Sequence, residues 1–282
     1  MNRFGIIGNK KEVLDNVASI KKKYPQLQVN NMYFLDVNMH DNTYHSNLAN
    51  FVRNNENVVL LSPIENLKSS ILDWVQYRTP IYLDFSPDLS YNDADILAKA
   101  CDEANATIMV KSVYPYALSL KRDLGLTDRI QCVNFRRHGI GELISRTEIL
   151  KDLTEIINIL GHKVKSYDVS VYKNKLGKND GYIIDCILSC YGFYKANVLW
   201  NIASLYDYRM LDIYSENRYL SINLGHTSYE TEPELSKSME KKIEHKRDIM
   251  RFFDIVSRAE TENSFRNIAD SLLIVDKIFS KL

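Results

Sequence analysis

The stretch Phe4-Gly5-Ile6-Ile7-Gly8 decides how the first half of this sequence folds. Its apolar residues predict a short buried strand, and the closing Gly8 predicts a tight turn directly after that strand. An amphipathic pattern from Val13 to Ile20 predicts a helix, whose last turn carries lysines 21–23. Cations are favourable at that end because of the helix dipole. A strand that turns at a glycine into a helix is the beginning of a βαβ unit.

Strands and helices continue to alternate behind this start. Continuous apolar runs are typical of parallel strands that are buried on both faces. The runs predict strands at Met32–Val37, Val58–Pro63, Pro80–Asp84 and Thr107–Val110. Helical patterns lie between them, and Ser90 followed by Asp93 predicts the capped start of one helix. We therefore predict an α/β domain over residues 1–125, built on a Rossmann-like parallel sheet.

The pattern changes near residue 128, after which longer strands with alternating apolar residues predominate. A helix is predicted at Glu148–Leu160, closed by Gly161. Strands are predicted at Arg129–Arg137, Lys163–Tyr172, Tyr182–Tyr191, Lys195–Ser204, Arg209–Tyr214 and Tyr219–Leu224, with a loop at Asn174–Gly181. Residues 126–282 are thus expected to form an α+β domain with a large, mostly antiparallel open sheet. An amphipathic tail, Met250–Leu282, predicts a C-terminal helix that packs back on the first domain.

Composition and charge exclude several classes of protein. Lys plus Arg equals Asp plus Glu at 36 each, which argues against an electrostatic grip on nucleic acid or on an anionic membrane. The four cysteines form no CxxC pair and have no metal-ligand spacing, so no metal site is expected. No stretch approaches the ~18 apolar residues of a membrane span, and the N-terminal apolar run is too short for a signal peptide. We therefore expect a cytoplasmic protein with no membrane and no nucleic-acid partner.

The order of these parts resembles the glucose–fructose oxidoreductase, inositol dehydrogenase and rhizopine-catabolism family, called Gfo/Idh/MocA. Val58–Pro63 is similar to the family's strand that ends in Ala-Thr-Pro, and Phe85-Ser86-Pro87 falls where the family has Glu-Lys-Pro. Tyr114-Pro115 resembles the Asn-Pro after the fifth strand, and Ile149–Leu160 with Gly161 resembles the helix of the catalytic His. The resemblance implies NAD(P) as cofactor, a small-molecule ligand in the interdomain cleft and a homodimer through the C-terminal sheet.

The resemblance and the strand ends together select candidate site residues. Those for cofactor binding are Gly8, Lys10, Asp36, Ser62, Pro63 and Ser86. Those for catalysis are Lys151, Lys111 and Tyr114. Lys151 falls where the family has its catalytic His, and a shift of one turn brings Glu148 or Asp152 there instead. Lys111 and Tyr114 follow the fifth strand, at the carboxyl edge where open α/β sheets bind ligands, and could bind a phosphate or a carboxylate.

Three of these positions depart from the family's chemistry. Dinucleotide binding needs a second glycine so that the backbone can approach the pyrophosphate, and Lys10 stands there; Val13 stands at the third. Ser86 replaces the family's Lys, and Lys151 replaces its His. The sequence therefore favours a diverged member with weakened or lost NAD(P)-dependent activity, acting as a binding or protein-partner subunit. Two alternatives stay open: an active oxidoreductase on a sugar-like or cyclic imine substrate, and a small-molecule sensor.

Overall fold

The computed structural model describes residues 2–38, 44–111, 130–140, 145–161, 163–176, 179–192, 194–216, 219–223, 228–231 and 248–282. The chain forms two compact units. The first comprises Met1–Lys111 and Arg247–Ala269, and the second comprises Ser112–Lys246 and Asp270–Leu282. The domain boundary predicted at residue 125 lies outside the described residues, as does the predicted site residue Tyr114.

Helices occur in both units of the chain. In chain order they are α1 Lys10–Lys23, α2 Leu35–Asn38, α3 Tyr44–Arg53, α4 Leu67–Trp74, α5 Tyr91–Ala104, α6 Arg146–Leu160, α7 Asp248–Ser257 and α8 Ser264–Phe279. A 3₁₀ turn, Val75–Tyr77, continues α4. The predicted cap of α5 is confirmed, because the Ser90 hydroxyl accepts a hydrogen bond from the Asp93 N–H at 3.2 Å. Within the described ranges, no helix combines the length and apolar character needed to cross a membrane.

The first unit is built on a five-stranded parallel sheet, as predicted. Its strands are β1 Asn2–Gly8, β2 Leu27–Phe34, β3 Val58–Leu60, β4 Ile81–Leu83 and β5 Ile108–Val110. Their order is β2-β1-β3-β4-β5. The direction of winding reverses between β1 and β3, and open α/β sheets bind ligands at the carboxyl edge of such a switch point.

Strand β2 differs from the prediction in position. The sequence predicted Met32–Val37, but the strand is Leu27–Phe34, and Asp36 lies in the first turn of α2. The reason is that β2 is an edge strand, paired with β1 along its whole length from Leu27 onward. An edge strand needs fewer apolar residues, so its polar first half was not recognised.

The C-terminal tail contributes to the first unit. Helix α7 brings Phe252 and Phe253 into a core that includes Phe4 of β1, and the rings of Phe4 and Phe253 lie 5.0 Å apart. Behind α7, the Ile108 N–H of the edge strand β5 donates to the Glu262 carbonyl at 2.9 Å. The core of the first unit therefore combines residues that lie far apart in the sequence.

The second unit is built on a seven-stranded mixed sheet. Its strands are β6 Ile130–Ile140, β7 Val164–Leu176, β8 Asn179–Cys190, β9 Lys195–Asn201, β10 Ala203–Ser215, β11 Tyr219–Asn223 and β12 Ser228–Thr231. Their order is β12-β11-β10-β6-β9-β8-β7. The predicted mostly antiparallel sheet is confirmed, since β6 and β9 are the parallel pair and the other described neighbours are antiparallel.

Some predicted bounds in this sheet were wrong. The loop expected at Asn174–Gly181 is largely strand, because β7 and β8 stay paired out to Leu176 and Asn179. Strand β6 runs on to Ile140 instead of ending at Arg137, and β12 was not predicted at all. These segments are polar, and backbone pairing with a neighbour extends them beyond the reach of the apolar pattern.

The two faces of this sheet have different roles. One face packs against α6 and the last part of α8, and its core includes Phe135, Trp200 and Leu211. Helix α6 ends as predicted at Gly161, which has a positive φ of 66°. We call the opposite side the open face. Four large side chains of the open face are 37–58% exposed, namely Tyr172, Ile187, Tyr214 and Tyr219.

Candidate functional site

The carboxyl edge of the parallel sheet gathers several of the predicted residues. The N–H groups of Leu61, Asp84 and Lys111 each donate, at 2.8 Å, to a carbonyl of the neighbouring strand. Each of these residues therefore lies just beyond the last ladder position of its strand. Gly8 ends β1 beside them, so the structure brings Gly8, Ser62 and Lys111 to one edge of the first unit.

Gly8 lies in a closely packed place at this edge. A Cβ atom at Gly8 would lie 3.0 Å from the Leu61 Cβ and 3.3 Å from the Val13 Cγ2. Glycine thus allows α1 and the end of β3 to approach β1 closely. The sequence predicted a tight turn at Gly8, and this packing role was not part of that prediction.

The first N–H of α1 is bonded within the chain. Lys10 begins the helix, and its backbone N–H donates to the Asp36 Oδ1 at 2.9 Å. The Lys10 side chain is exposed. Free N–H groups at a helix N-terminus are the donors that bind phosphate groups. Asp36 therefore occupies one of the donors that a dinucleotide would need.

A second carboxylate, that of Glu12, belongs to the first turn of α1 itself. The Ser62 hydroxyl donates a hydrogen bond to the Glu12 Oε2, across the switch point between β1 and β3. The sequence pattern pointed to Ser62 but not to Glu12. An acid in the first turn of a helix is common because of the helix dipole, so the pattern did not distinguish Glu12 from an ordinary surface residue.

The remaining candidates at this edge form a small polar group. Lys111 Nζ lies 3.1 Å from the Asp84 Oδ1, and the Tyr82 hydroxyl donates to the same oxygen at 3.2 Å. Ser86 and Pro63 are exposed residues of the loops that follow β4 and β3. Lys111 is thus an ion-pair partner, and the acid that holds it was not among the predicted residues.

Lys151 belongs to the second unit, where it is partly exposed on α6. The buried polar side of α6 carries Asp152 and Glu155. The alternative register, which pointed to Glu148 or Asp152, selects residues with ion-pair partners on the sheet. These partners were not predicted.

Arg137 of β6 joins Glu148 and Asp152 in a charged network under α6. Its Nη2 lies 2.5 Å from the Glu148 Oε1, and its Nη1 lies 3.3 Å from the Asp152 Oδ2. Asp152 is 1% exposed and also accepts a hydrogen bond from Trp200 Nε1 at 3.0 Å. A buried carboxylate is stable only with such partners. The network therefore fixes Arg137 against the helix.

Glu148 lies at the solvent side of this network. Burial alone would raise the pKa of Glu148, but the hydrogen bond and charge of Arg137 and the bonds from Ser145 lower it below its ordinary value. Arg209 of β10 is the direct cross-strand neighbour of Arg137, and its Nη2 lies 3.9 Å from the Glu148 Oε1. Two guanidinium groups thus point to one carboxylate oxygen. Sequence alternation places both arginines facing α6, but only the register of β6 and β10 shows that they are neighbours.

The open face of the same sheet carries a separate polar group. Asp212 is buried there, and its carboxylate accepts hydrogen bonds from the Ser221 hydroxyl at 2.6 Å and from the Arg136 guanidinium at 2.7 Å. His138 stacks on Tyr208 with ring centroids 4.2 Å apart, and burial together with the charge of Arg136 lowers the pKa of His138. The open face is therefore an ordered polar and aromatic surface.

Metal ligation finds no support in the described part of the chain. There, no three His, Cys, Asp or Glu side chains are grouped so as to hold a metal ion. Burial raises the pKa of Cys101 and Cys186 to about 12 and that of Cys190 to about 11. These thiols are protonated at neutral pH and belong to the cores.

Comparison with known proteins identifies the fold. No protein-family model and no curated protein sequence matches the chain. Solved structures do match it over nearly its whole length. A dehydrogenase (MviM) from Clostridium difficile is 13% identical, with a TM-score of 0.60, over 100% of this chain and 99% of that one.

Two further matches extend this result. The UDP-N-acetylglucosamine 3-dehydrogenase GnnA from Acidithiobacillus ferrooxidans is 12% identical, with a TM-score of 0.61, over 98% of this chain and 97% of its own. The biliverdin reductase from Synechocystis sp. PCC 6803, solved with biliverdin and NADP+, is 11% identical, with a TM-score of 0.52, over 99% and 98% of the two chains. The fold is thus the two-domain dehydrogenase fold of the Gfo/Idh/MocA type, as the resemblance implied.

Proposed function

We propose that this chain is a diverged Gfo/Idh/MocA-type oxidoreductase-like protein whose NAD(P)-dependent dehydrogenase activity is weakened or lost, and that it acts as a binding or partner subunit. The shared fold supports the relationship to the family. The observation that carries the loss of activity is the bond from the Lys10 N–H to Asp36, at the place where a dinucleotide needs a free donor.

The residues at the switch point do not fit a pyrophosphate. A side chain stands at the second glycine position, the first helix N–H is already bonded, and the Glu12 carboxylate lies in the first turn of the same helix. Like charges at short range repel, and the repulsion grows as water is excluded. We therefore assign no hydride-transfer step to these residues.

The proton-transfer chemistry of the family is also weakened in this chain. Ser86 replaces a lysine, and a serine hydroxyl does not titrate near neutral pH. Lys111 is a titratable group at the same edge, but it is paired with Asp84 and its side chain is 50% exposed. An exposed, paired lysine is poorly suited to act as an acid in a dry active site.

Nucleotide binding tests the proposal directly. We expect neither NADH nor NADPH to raise the melting temperature of the purified protein. A ligand present at about 100 times its Kd adds about 2.7 kcal/mol of stability, which a melting curve resolves easily. A clear upward shift with either nucleotide would overturn the proposal.

An active oxidoreductase is the alternative, and the observation that favours it is the position of Lys111, a titratable residue directly after β5 at the carboxyl edge of the sheet. In that case NAD(P) binds, the substrate is sugar-like or a cyclic imine, and Lys111 supplies the proton. Lys111→Met would then lower the turnover rate, which is measured from the change in NAD(P)H absorbance.

A small-molecule sensor is the other alternative. Such a protein would release a bound compound on denaturation, and mass spectrometry would identify that compound.

The partner we propose is a second copy of this chain, bound through the open face. Tyr172, Ile187, Tyr214 and Tyr219 support this, because large exposed side chains on one sheet face are typical of protein interfaces. Ile187→Glu should give a monomer in analytical ultracentrifugation. Ile96→Glu, at a comparably exposed position on α5, is the control and should leave a dimer. A wild-type monomer would contradict this part of the proposal.

A further inference from the structure

We propose that Arg137 and Arg209 form a binding site for the carboxylate of a small-molecule ligand, and that Glu148 occupies this site internally when the ligand is absent. All three residues belong to the second unit. The inference therefore does not depend on nucleotide binding in the first unit.

The two arginines lie directly beside each other. Arg137 and Arg209 are partners in the antiparallel pairing of β6 and β10, on the sheet face that packs against α6. Like charges directly opposite each other on a sheet are destabilising. An anion between them removes this penalty, and both guanidinium groups point to the same atom, the Glu148 Oε1, at 2.5 and 3.9 Å.

One wall of this site is fixed by the protein itself. Arg137 is only 11% exposed and is held from the other side by Asp152, which is itself bonded by Trp200. Removal of Glu148 would leave Arg137 in place through Asp152. The guanidinium is therefore pre-positioned, which reduces the entropy cost of binding a planar anion.

Glu148, the internal occupant, is placed so that it can exchange. It is 41% exposed and Arg209 is 31% exposed, so this side of the network is open to water. The Glu148 Oε2 also accepts hydrogen bonds from the Ser145 N–H and hydroxyl, each at 3.3 Å, as part of the capping box of α6. A Glu148 that leaves the arginines thus keeps hydrogen-bond partners at the helix N-terminus.

Charge balance selects the chemical class of the ligand. Two arginines face two carboxylates, Glu148 and Asp152, so the network is neutral as it stands. A ligand carboxylate carries the same single charge and planar shape as the Glu148 group that it replaces, and it suits the planar guanidinium fork. A phosphate monoester also offers oxygens to arginine, but it brings close to two charges on a single group, whereas each carboxylate of a dicarboxylic acid brings one.

The experiment uses the full chain and two kinds of anion. Succinate and inorganic phosphate are titrated separately at constant ionic strength, maintained with potassium chloride, while the melting temperature is recorded. We expect succinate to stabilise the wild type. Glu148→Gln should lower the half-saturating succinate concentration about tenfold, since it removes a competing charge. Arg209→Gln should abolish the effect.

The controls separate binding from a structural role of Glu148. Arg258→Gln, which removes an exposed arginine of the first unit, should behave like the wild type. If Glu148→Gln does not fold, Arg209→Lys keeps the charge and leaves Glu148 in place, and it should weaken succinate binding several-fold. Succinate binding that survives Arg209→Gln, or that is not tightened by a folded Glu148→Gln, would overturn the proposal. Stronger stabilisation by phosphate than by succinate would overturn the choice of a carboxylate.

Discussion

The two units differ in how an internal carboxylate meets a group that could bind an anion. In the first unit Asp36 accepts the neutral N–H of Lys10, with a second acid, Glu12, in the same turn of α1. In the second unit Glu148 lies against two positively charged guanidinium groups, and Asp152 holds one of them from behind. The difference teaches that an internal carboxylate closes an anion site when it bonds the neutral N–H groups of the backbone, and keeps a site prepared for another anion when it balances two cations.

The largest expected effect on stability comes from the loss of Asp152, the acid that holds Arg137 in the second unit. Asp152→Ala leaves Arg137 buried with one partner fewer and leaves the Trp200 N–H without its acceptor. We expect unfolding in urea to show a loss of about 3 kcal/mol. The counterpart Asp36→Ala removes one exposed hydrogen bond and should cost about 1 kcal/mol or less. Equal losses for the two variants would break the comparison.

The next effect tests how closely the residues pack around Gly8, at the switch point of the first unit. Gly8→Ala places a Cβ 3.0 Å from the Leu61 Cβ, and we expect a loss of about 2 kcal/mol from overpacking. Gly139→Ala is the matched control from the second unit, because an added Cβ there meets nothing within 4 Å. Its free energy of unfolding should stay within about 0.5 kcal/mol of the wild type. A Gly8→Ala variant as stable as this control would show that the switch point has room for a side chain.

A smaller effect is expected when the N-terminus of α1 is made more favourable for a nucleotide. Lys10→Gly together with Glu12→Gln restores the missing glycine and removes a negative charge, and we expect NADH to bind at least about tenfold more tightly than to the wild type. NADH fluorescence titration measures this change. Lys11→Gly alters an exposed neighbour and is the control. If the double variant binds no better than this control, the Lys10 side chain and the Glu12 charge are not what excludes the nucleotide.

The smallest effect concerns how stability depends on pH, because Glu148 and Glu262 contribute to that dependence with opposite signs. The pKa of Glu148 is lowered by Arg137 against the effect of burial, so its contribution to stability is present above about pH 4.5 and is lost as the pH falls below that value. Burial raises the pKa of Glu262 in the first unit above 4.5, in spite of its pair with Arg251. Its contribution is therefore present below about pH 4.5 and is lost as the pH rises through the raised value.

Urea unfolding between about pH 3.5 and 6 checks these opposite slopes. Glu148→Gln should reduce the loss of stability on the acid side. Glu262→Gln should relatively improve stability on the neutral side of the same range. Variants that change the slope in the same direction would contradict the assignment.

The elements that could be predicted are those whose signals are local. The strand that ends at Gly8, the helix capped by Ser90 and the helix closed by Gly161 each depend on residues within a few positions of one another. The alternation of strands and helices then led to the α/β and α+β architecture. Continuous burial made β3, β4 and β5 recognisable as apolar runs.

The parts that could not be predicted depend on pairing between distant segments. The first half of edge strand β2 and the whole of terminal strand β12 were not recognised from an apolar pattern, and both are paired with a neighbouring strand. The bond from Lys10 to Asp36 spans 26 residues, and the approach of Arg209 to Arg137 requires the register of two strands. The sequence pattern thus located the switch point but could not show which of its donors are occupied.

The mixed origin of both cores has a consequence for the synthesis of this protein. Helix α7 completes the core around Phe4, and the last part of α8 completes the core of the second unit. At about 5–20 residues per second, a ribosome needs roughly ten to thirty seconds to proceed from the end of β5 to α8. During that time the nascent first unit exposes the surface that Phe252 and Phe253 later cover. Neither unit can finish folding before its late helix has been made, so the newly made chain exposes apolar surface for longer than its two-unit architecture suggests.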